Sequence, residues 1–330
     1  MITNQISATV AATAARSRHS SASRDHDICA HRAAEADDIR AAIVGFIPAI
    51  PTPFMPDGSV DFASFERFCD MQVRAGARSI LVCGTTGEAP TLSPPEQRDL
   101  IVAARSAIGS RCLLIAGAGS NATAQAINLS HAAETAGADA ILSVVPYYNK
   151  PTQTGLHAHF TSIANEVGLP VILYDVPSRT VTGLSEAVII QLALHPRIVG
   201  LKDATGDMAR CTRLRSRLGE SFSLLSGDDS TALAFIAQGG DGCMSVIANV
   251  LPSACRDLFE TLQRGQLSRA HRAACRYTEL TGLLAGLPNP AGVKFVLSEL
   301  GWMGPDLRLP LTQLRDADRV ELIAQLPFLR

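Results

Sequence analysis

The fold is indicated most directly by the stretch Ile198-Val-Gly-Leu-Lys202-Asp-Ala-Thr-Gly-Asp207, where four apolar or small residues run without alternation into a lysine. Such a run is typical of a strand covered on both faces, as in a parallel sheet flanked by helices. Lysine is rarely buried in such a sheet unless it has a function. Lys202 is therefore the first candidate for chemistry, and a solvent-reaching side chain at the strand end is the alternative.

The chemistry open to such a lysine is imine formation. A pKa of about 10.4 leaves roughly one lysine amine in a few thousand neutral at pH 7. Burial disfavours the ammonium, so a lysine in a dry barrel mouth can attack a carbonyl and form an imine.

The length and composition of the chain favour a single large domain and argue against nucleic-acid and membrane partners. The chain has 330 residues, of which 47% are hydrophobic and 18% charged, with a net charge of -2. Near neutrality gives no reason to expect nucleic acid or an anionic membrane as a partner. No uninterrupted apolar run approaches the roughly 20 residues of a membrane span.

The cysteines and histidines predict no metal site. Eight cysteines contain no C-x-x-C pair, and several lie in apolar runs, which is typical of reduced core cysteines in a cytoplasmic protein. His157 and His159 are two residues apart and would point to different sides of a helix. We expect neither a metal nor a cofactor.

The first 42 residues differ from the rest of the chain in composition and in hydrophobic pattern. They are rich in Ala, Ser and Arg and show no apolar period until Ile43. Glu35, Asp37 and Asp38 argue against a transit peptide, and no secretory apolar region is present. We interpret residues 1–42 as a disordered extension that carries no chemistry.

From Ile43 onward, short apolar strands alternate with longer helical stretches. Helices are predicted over 62–76 and 184–195, and Ser93-Pro-Pro-Glu96 has the pattern of a capping box that begins another. Alternation with short connections predicts an α/β fold, a closed (β/α)₈ TIM barrel. A doubly wound open sheet is the alternative, but no G-x-G-x-x-G follows the first strand. The eight predicted strands are 43–50, 79–83, 112–117, 140–145, 171–175, 198–202, 222–226 and 242–246.

After about residue 247 the strand signal stops. Leucines and valines at helical spacing predict additional C-terminal helices, of the kind that serve packing or oligomerisation. The predicted organisation is thus an extension (1–42), a catalytic barrel (43–247) and a helical region (248–330).

Chemistry-bearing residues follow the predicted strands, where a barrel of this type builds its active site. Gly84 to Glu88 places two threonine hydroxyls between glycines, which offers side-chain and backbone donors to a carboxylate or phosphate. Pro146 to Pro151 holds two adjacent tyrosines, and Tyr174 to Thr180 pairs a phenol with Arg179. A phenol can relay protons to an imine-forming lysine, and a guanidinium can bind a carboxylate. Together these residues favour Schiff-base chemistry on a keto acid.

These motifs also carry a resemblance. Gly84-Thr-Thr-Gly-Glu88, Tyr147-Tyr-Asn-Lys-Pro151, Tyr174 to Thr180, Gly200 to Gly206 and Leu225 to Asp229 resemble the dihydrodipicolinate synthase family, in order and spacing. That family belongs to the pyruvate-dependent class I aldolases, with N-acetylneuraminate lyase as a relative. The resemblance covers about residues 43 to 330.

The resemblance implies a role for each matching residue. Lys202 would form the imine with pyruvate, and Tyr174, Thr85 and Tyr148 would relay protons, with Tyr148 reaching the neighbouring subunit's site. The remaining residues would bind substrate: Thr86 the pyruvate carboxylate, Arg179 the carboxylate of aspartate semialdehyde, and Gly227 and Met244 the pocket wall. The implied reaction condenses pyruvate with that aldehyde to give 4-hydroxy-tetrahydrodipicolinate for lysine and cell-wall synthesis. The implied assembly is a homotetramer built from tight dimers.

Some positions depart from the commonest family pattern. Met244 replaces an isoleucine or valine, and Gly292 replaces a proline between Asn289 and Lys294, which bears on substrate preference. Asn121 of the effector region is retained. At the other positions where lysine-inhibited members carry polar ligands, this chain has Ala89, Pro90, Pro94, Gln97 and Gln125, so we expect a weak response to lysine.

Two alternatives use the same barrel. The first is a sister aldolase whose acceptor leads to 4-hydroxy-2-oxoglutarate or a 2-keto-3-deoxy sugar acid. Arg179 and the pair Thr85-Thr86 favour the synthase over the sugar-acid lyases. The second is a catalytically silent barrel that binds a keto acid, which would not need Lys202 or Tyr174.

Overall fold

The computed structural model describes residues 39–328. The extension predicted for residues 1–42 therefore lies almost wholly outside the described residues. Residues 39–42 form a helical turn ahead of the first strand. From residue 39 onward the chain forms one compact unit, so the boundary predicted at residue 247 separates strands from helices within a single unit.

The strands confirm the predicted barrel. Their bounds lie within two residues of the predicted ones: β1 (Gly45–Pro48), β2 (Ser79–Val82), β3 (Leu113–Gly117), β4 (Ala140–Val144), β5 (Val171–Asp175), β6 (Ile198–Asp203), β7 (Ser223–Ser226) and β8 (Gly242–Ser245). They form one parallel sheet in the order β1-β8-β7-β6-β5-β4-β3-β2. Beyond β1, Ala49 bridges Leu81 of β2, and the Ile50 N–H donates to the Leu81 carbonyl at 2.8 Å. This contact brings the two edges together in a nearly closed (β/α)₈ barrel.

Helices alternate with the strands and cover the barrel. They are α1 (Phe62–Arg74), α2 (Pro94–Ile108), α3 (Thr123–Thr135), α4 (Gln153–Glu166), α5 (Pro177–Thr180), α6 (Glu186–Leu192), α7 (Met208–Leu218) and α8 (Ala232–Ala237). The helices predicted over 62–76 and 184–195 correspond to α1 and α6. The capping box before α2 is confirmed, because the Ser93 hydroxyl accepts from the Glu96 N–H while the Glu96 carboxylate accepts from the Ser93 N–H.

Helices alone follow the last strand, as the sequence predicted. They are α9 (Pro252–Gln263), α10 (Leu267–Ala274), α11 (Thr278–Gly286), α12 (Ala291–Glu299) and α13 (Asp316–Gln325). Single 3₁₀ turns occupy Ala89–Thr91, Gly219–Ser221, Ile247–Asn249 and Leu326–Phe328.

A buried ion pair ties this helical region to the loop after β2. The ammonium of Lys294, on α12, lies 2.8 Å from a carboxylate oxygen of Glu88, and neither side chain is exposed to solvent. The other Glu88 oxygen accepts the Arg308 backbone N–H at 3.2 Å. The ring of Phe54 lies 4.4 Å from both the Lys294 ammonium and the Arg308 guanidinium. The helices after the barrel therefore hold the loop that carries Thr85 and Thr86.

The cysteines of the described part are all free thiols, and each of them is buried except Cys275. Within residues 39–328, every helix is too short or too polar to span a membrane.

Candidate active site

The carboxyl ends of β5 and β6 bring Tyr174 and Lys202 side by side. The two residues are register partners across the strand pair. The Lys202 ammonium lies 4.3 Å from the centre of the Tyr174 ring, and both residues are more than 90% buried. No described residue makes a hydrogen bond to this ammonium. It is thus positioned by the strands and by the ring, with its donors available to a ligand.

Gly227, which follows β7, leaves room for the lysine side chain. A Cβ atom at this position would lie 3.1 Å from Cε of Lys202 and 2.8 Å from Cβ of Ala204. Any larger residue would therefore press on the lysine side chain, which explains the glycine that the sequence places here.

The loop after β2 presents a threonine hydroxyl whose direction is set by an asparagine. Thr86 is buried, and its Oγ1 accepts a hydrogen bond from Nδ2 of Asn289 at 3.1 Å. The Thr52 hydroxyl donates to the Gly87 carbonyl at 2.7 Å and fixes the turn that follows. Because Oγ1 of Thr86 already accepts, its own O–H is free to donate to a ligand carboxylate.

One cavity of about 360 Å³ collects these groups at the carboxyl ends of the strands. Seven of the eight predicted site residues line it: Lys202, Tyr174, Thr85, Thr86, Arg179, Gly227 and Met244. The Arg179 side chain is exposed at the mouth, and its guanidinium makes no hydrogen bond within the described part of the chain. A cavity with an amine in its wall, hydroxyls and a free guanidinium suits a small keto acid and a condensation product that carries a second carboxylate.

Tyr148, the eighth predicted site residue, does not line this cavity. Its side chain is 88% exposed, and its backbone has a φ of 73°, in the left-handed region that non-glycine residues rarely adopt. Lys150 is also left-handed, with a φ of 46°, and the Asn149 side chain donates to the Asn121 carbonyl at 2.8 Å. The loop therefore holds Tyr148 out from its own barrel.

A second cavity of about 460 Å³ adjoins the first and shares Thr85, Tyr174 and Arg179 with it. Pro94, Gln97 and Gln125 line it together. Among the described residues, no carboxylate side chain lines this second cavity. The positions that departed from the family's effector pattern thus lie together and form one uncharged wall.

Some residues of the site received no role in the sequence analysis. The only signal that the sequence offered for Asn289, which orients Thr86, was its position before a proline. Asp229 is a half-buried residue of the cavity wall, where its carboxylate accepts the N–H groups of Val246 at 2.7 Å and Ile247 at 3.0 Å, and desolvation raises its pKa. The acidic pair after β7 was visible in the sequence, but only the fold shows that Asp229 supports the turn after β8.

A larger cavity, of about 740 Å³, lies at the other end of the barrel, beside residues that precede the strands, such as Arg78 and Asp241. None of the predicted site residues lines it. In TIM barrels the chemistry occurs at the carboxyl ends of the strands, so the smaller cavity around Lys202 is the candidate active site. Within residues 39–328, no cluster of three His, Cys, Asp or Glu side chains is arranged to hold a metal.

Comparison with known proteins assigns the family. The family model described as "Dihydrodipicolinate synthetase family" matches residues 42–327.

The chain belongs to the dihydrodipicolinate synthetase family.

Relatives in this family match over nearly their whole length. The 4-hydroxy-tetrahydrodipicolinate synthase of Acidiphilium cryptum is 43% identical over 85% of this chain and 96% of its own. That of Methylibium petroleiphilum is 46% identical over 83% of this chain and 94% of its own. The crystal structure of dihydrodipicolinate synthase from Acinetobacter baumannii, in complex with pyruvate, superposes with a TM-score of 0.85. It is 41% identical and covers 87% of this chain and 99% of its own.

Proposed function

We propose that this protein condenses pyruvate with L-aspartate 4-semialdehyde to give 4-hydroxy-tetrahydrodipicolinate. The observation that carries the proposal is the Lys202 ammonium, held 4.3 Å from the Tyr174 ring in the wall of the cavity without a hydrogen-bond partner among the described residues. The family relatives carry the name of that activity, and one was crystallised with pyruvate. The protein is thus an aldolase-type lyase that needs no cofactor for this chemistry.

The reaction begins with the amine of Lys202. It attacks the ketone carbon of pyruvate, water leaves, and a protonated imine remains. Tyr174, Thr85 and Tyr148 carry the protons of this step. Thr86 donates its O–H to the pyruvate carboxylate, while Gly227 and Met244 shape the wall beside the imine.

The second half joins the two substrates. Loss of a methyl proton converts the imine to an enamine, whose carbon attacks the aldehyde of the acceptor. Arg179 binds the acceptor carboxylate at the cavity mouth through paired N–H donors. The acceptor's amine then attacks the imine carbon, which closes the ring and releases Lys202.

The three lysines of the chain allow a direct test of the nucleophile. Borohydride with pyruvate should inactivate the protein and add one reduced pyruvate to the peptide that holds Lys202. Lys202→Arg should abolish both effects, because a guanidinium stays protonated and cannot attack. Lys150→Arg, which changes an exposed lysine, should keep the adduct. Full activity in Lys202→Arg would refute the mechanism.

The acceptor is tested separately with a panel of aldehydes, each incubated with pyruvate and followed by product identification. We expect the highest kcat/KM with aspartate semialdehyde. Arg179→Leu should raise the KM for that aldehyde and leave imine formation with pyruvate intact. Preference for glyoxylate or a sugar aldehyde would assign the protein to a sister aldolase.

We further propose that Tyr148 acts in the site of a neighbouring subunit, within a tetramer built from dimers in the cytoplasm. Its exposure and its projecting loop support this role, and buried free thiols suit a reducing compartment. Mixed dimers of Tyr148→Phe and Lys202→Ala subunits provide the test. Crossed tyrosines leave one site per mixed dimer intact, so a random mixture should regain about a quarter of wild-type activity. If Tyr148 served its own subunit, every site would carry one lesion and no activity would return.

A further inference from the structure

Two aspartates directly follow Tyr174 and Lys202 in sequence. Asp175 and Asp203 end β5 and β6 and are register partners, as the two preceding residues are. Successive side chains of a strand point to opposite faces. Since Tyr174 and Lys202 face the cavity, the two carboxylates lie on the outer face of the barrel, beneath the helices.

A single arginine from α7 bridges these carboxylates. The Arg210 guanidinium lies 2.8 Å from an Asp175 oxygen and 3.2 Å from an Asp203 oxygen. It also donates to the Leu184 carbonyl at 2.7 Å. Asp175, Asp203 and Arg210 are each at least 94% buried at the side chain. Two buried like charges side by side repel, and the guanidinium between them offsets that repulsion.

Each carboxylate is also anchored to its own surroundings. Asp203 accepts from the backbone N–H of Thr205 at 2.9 Å and from its hydroxyl at 2.6 Å. Asp175 accepts from the Leu184 N–H at 3.2 Å. Arg210 therefore connects two anchored strand ends and not merely two free side chains.

We propose that Arg210 is a positioning residue, which clamps the ends of β5 and β6 so that the Lys202 ammonium stays over the Tyr174 ring. The proposal rests on the proposed function, in which Lys202 is the nucleophile and Tyr174 relays its protons. The clamp acts from outside the barrel and touches no substrate. Its physical basis is the planar guanidinium, whose separate N–H groups reach both carboxylates in one fixed geometry.

The test is Arg210→Lys, which keeps the positive charge but cannot bridge both carboxylates through a planar fork. The rate constant of imine formation at saturating pyruvate is measured by borohydride trapping, well below the melting temperature of each variant. We expect a fall of roughly 10–100-fold, as for a misplaced catalytic group. The final yield of adduct and the KM for pyruvate should stay near those of wild type.

A matched control is Arg213→Lys, one turn along the same helix, where the arginine pairs with Glu186 and Asp207 at the exposed surface. It should leave the rate constant within about two-fold of wild type. Should Arg210→Lys not fold, Asp175→Asn keeps the side-chain shape, weakens the clamp and should slow imine formation about five-fold.

The outcomes separate the clamp from the proposed function. A folded Arg210→Lys protein with the wild-type rate constant, or an unchanged rate in Asp175→Asn, overturns the positioning role. A lower melting temperature with an unchanged rate assigns Arg210 to stability alone and also overturns it. Absence of an adduct in the wild-type protein would instead refute the proposed function.

Discussion

Lys294→Met is the substitution whose cost the structure defines most sharply. The ammonium of Lys294 lies 2.8 Å from the Glu88 carboxylate, and both side chains have 0% exposure. Burial lowers the pKa of Lys294, and the attraction of Glu88 opposes that shift. Methionine is similar in length and fills the same space. The change therefore removes the ammonium and leaves a carboxylate buried without its cation.

Removing one partner of a buried ion pair costs about 3–5 kcal/mol, because the remaining charge is uncompensated. With an unfolding entropy of about 2.1 cal/mol/K per residue, a unit of about 290 residues changes by about 0.6 kcal/mol/K near its midpoint. The melting temperature of Lys294→Met should therefore fall by about 5–8 °C. A double variant with Glu88→Gln removes both charges and should recover most of this loss.

The assay is urea unfolding and scanning calorimetry at pH 7 on the wild type, Lys294→Met and the double variant. Lys150→Met serves as the control, because Lys150 is exposed and should change the unfolding free energy by less than about 0.5 kcal/mol. An unfolding free energy of Lys294→Met within about 0.5 kcal/mol of the wild-type value would refute the reasoning. A double variant as unstable as Lys294→Met would attribute the loss to packing and not to the buried carboxylate.

Two further predictions concern pH and lysine. Burial lowers the pKa of His159 to about 4, below its ordinary value of about 6.5. As the pH falls, this histidine is therefore protonated in the unfolded chain before it is protonated in the folded protein. About 3 kcal/mol of folding stability should be lost between pH 6.5 and pH 4. His159→Asn should reduce that loss in acid-unfolding titrations and His157→Asn should not, whereas equal losses in all three proteins would contradict it. Millimolar L-lysine should inhibit the protein little, because a ligand ammonium beside Pro94, Gln97 and Gln125 would be desolvated without a charged partner. Half-inhibition at micromolar lysine in steady-state assays would show this prediction to be wrong.

The strands and the reactive residues at their carboxyl ends could be predicted, because both are local properties of the chain. An unalternating apolar run such as Ile198 to Leu201 needs cover on both faces wherever it lies, and eight such runs alternating with amphipathic helices leave few folds available. Since parallel strands place their carboxyl ends at one rim, residues as distant as Thr85 and Lys202 could be assigned to one site. Both residues line the cavity at that rim.

Other features were decided by the tertiary structure alone, because they join groups far apart in sequence. Asn289 donates to Thr86 across 203 positions, and Lys294 pairs with Glu88 across 206. No periodicity links such positions, and their contact depends on how the C-terminal helices pack onto the barrel. The contacts behind Lys202, on the outer face of the barrel, were also decided by the tertiary structure alone. The sequence alone indicates that a lysine follows a buried strand, but the packing of α7 against β5 and β6 decides that Arg210 bridges the two carboxylates behind it.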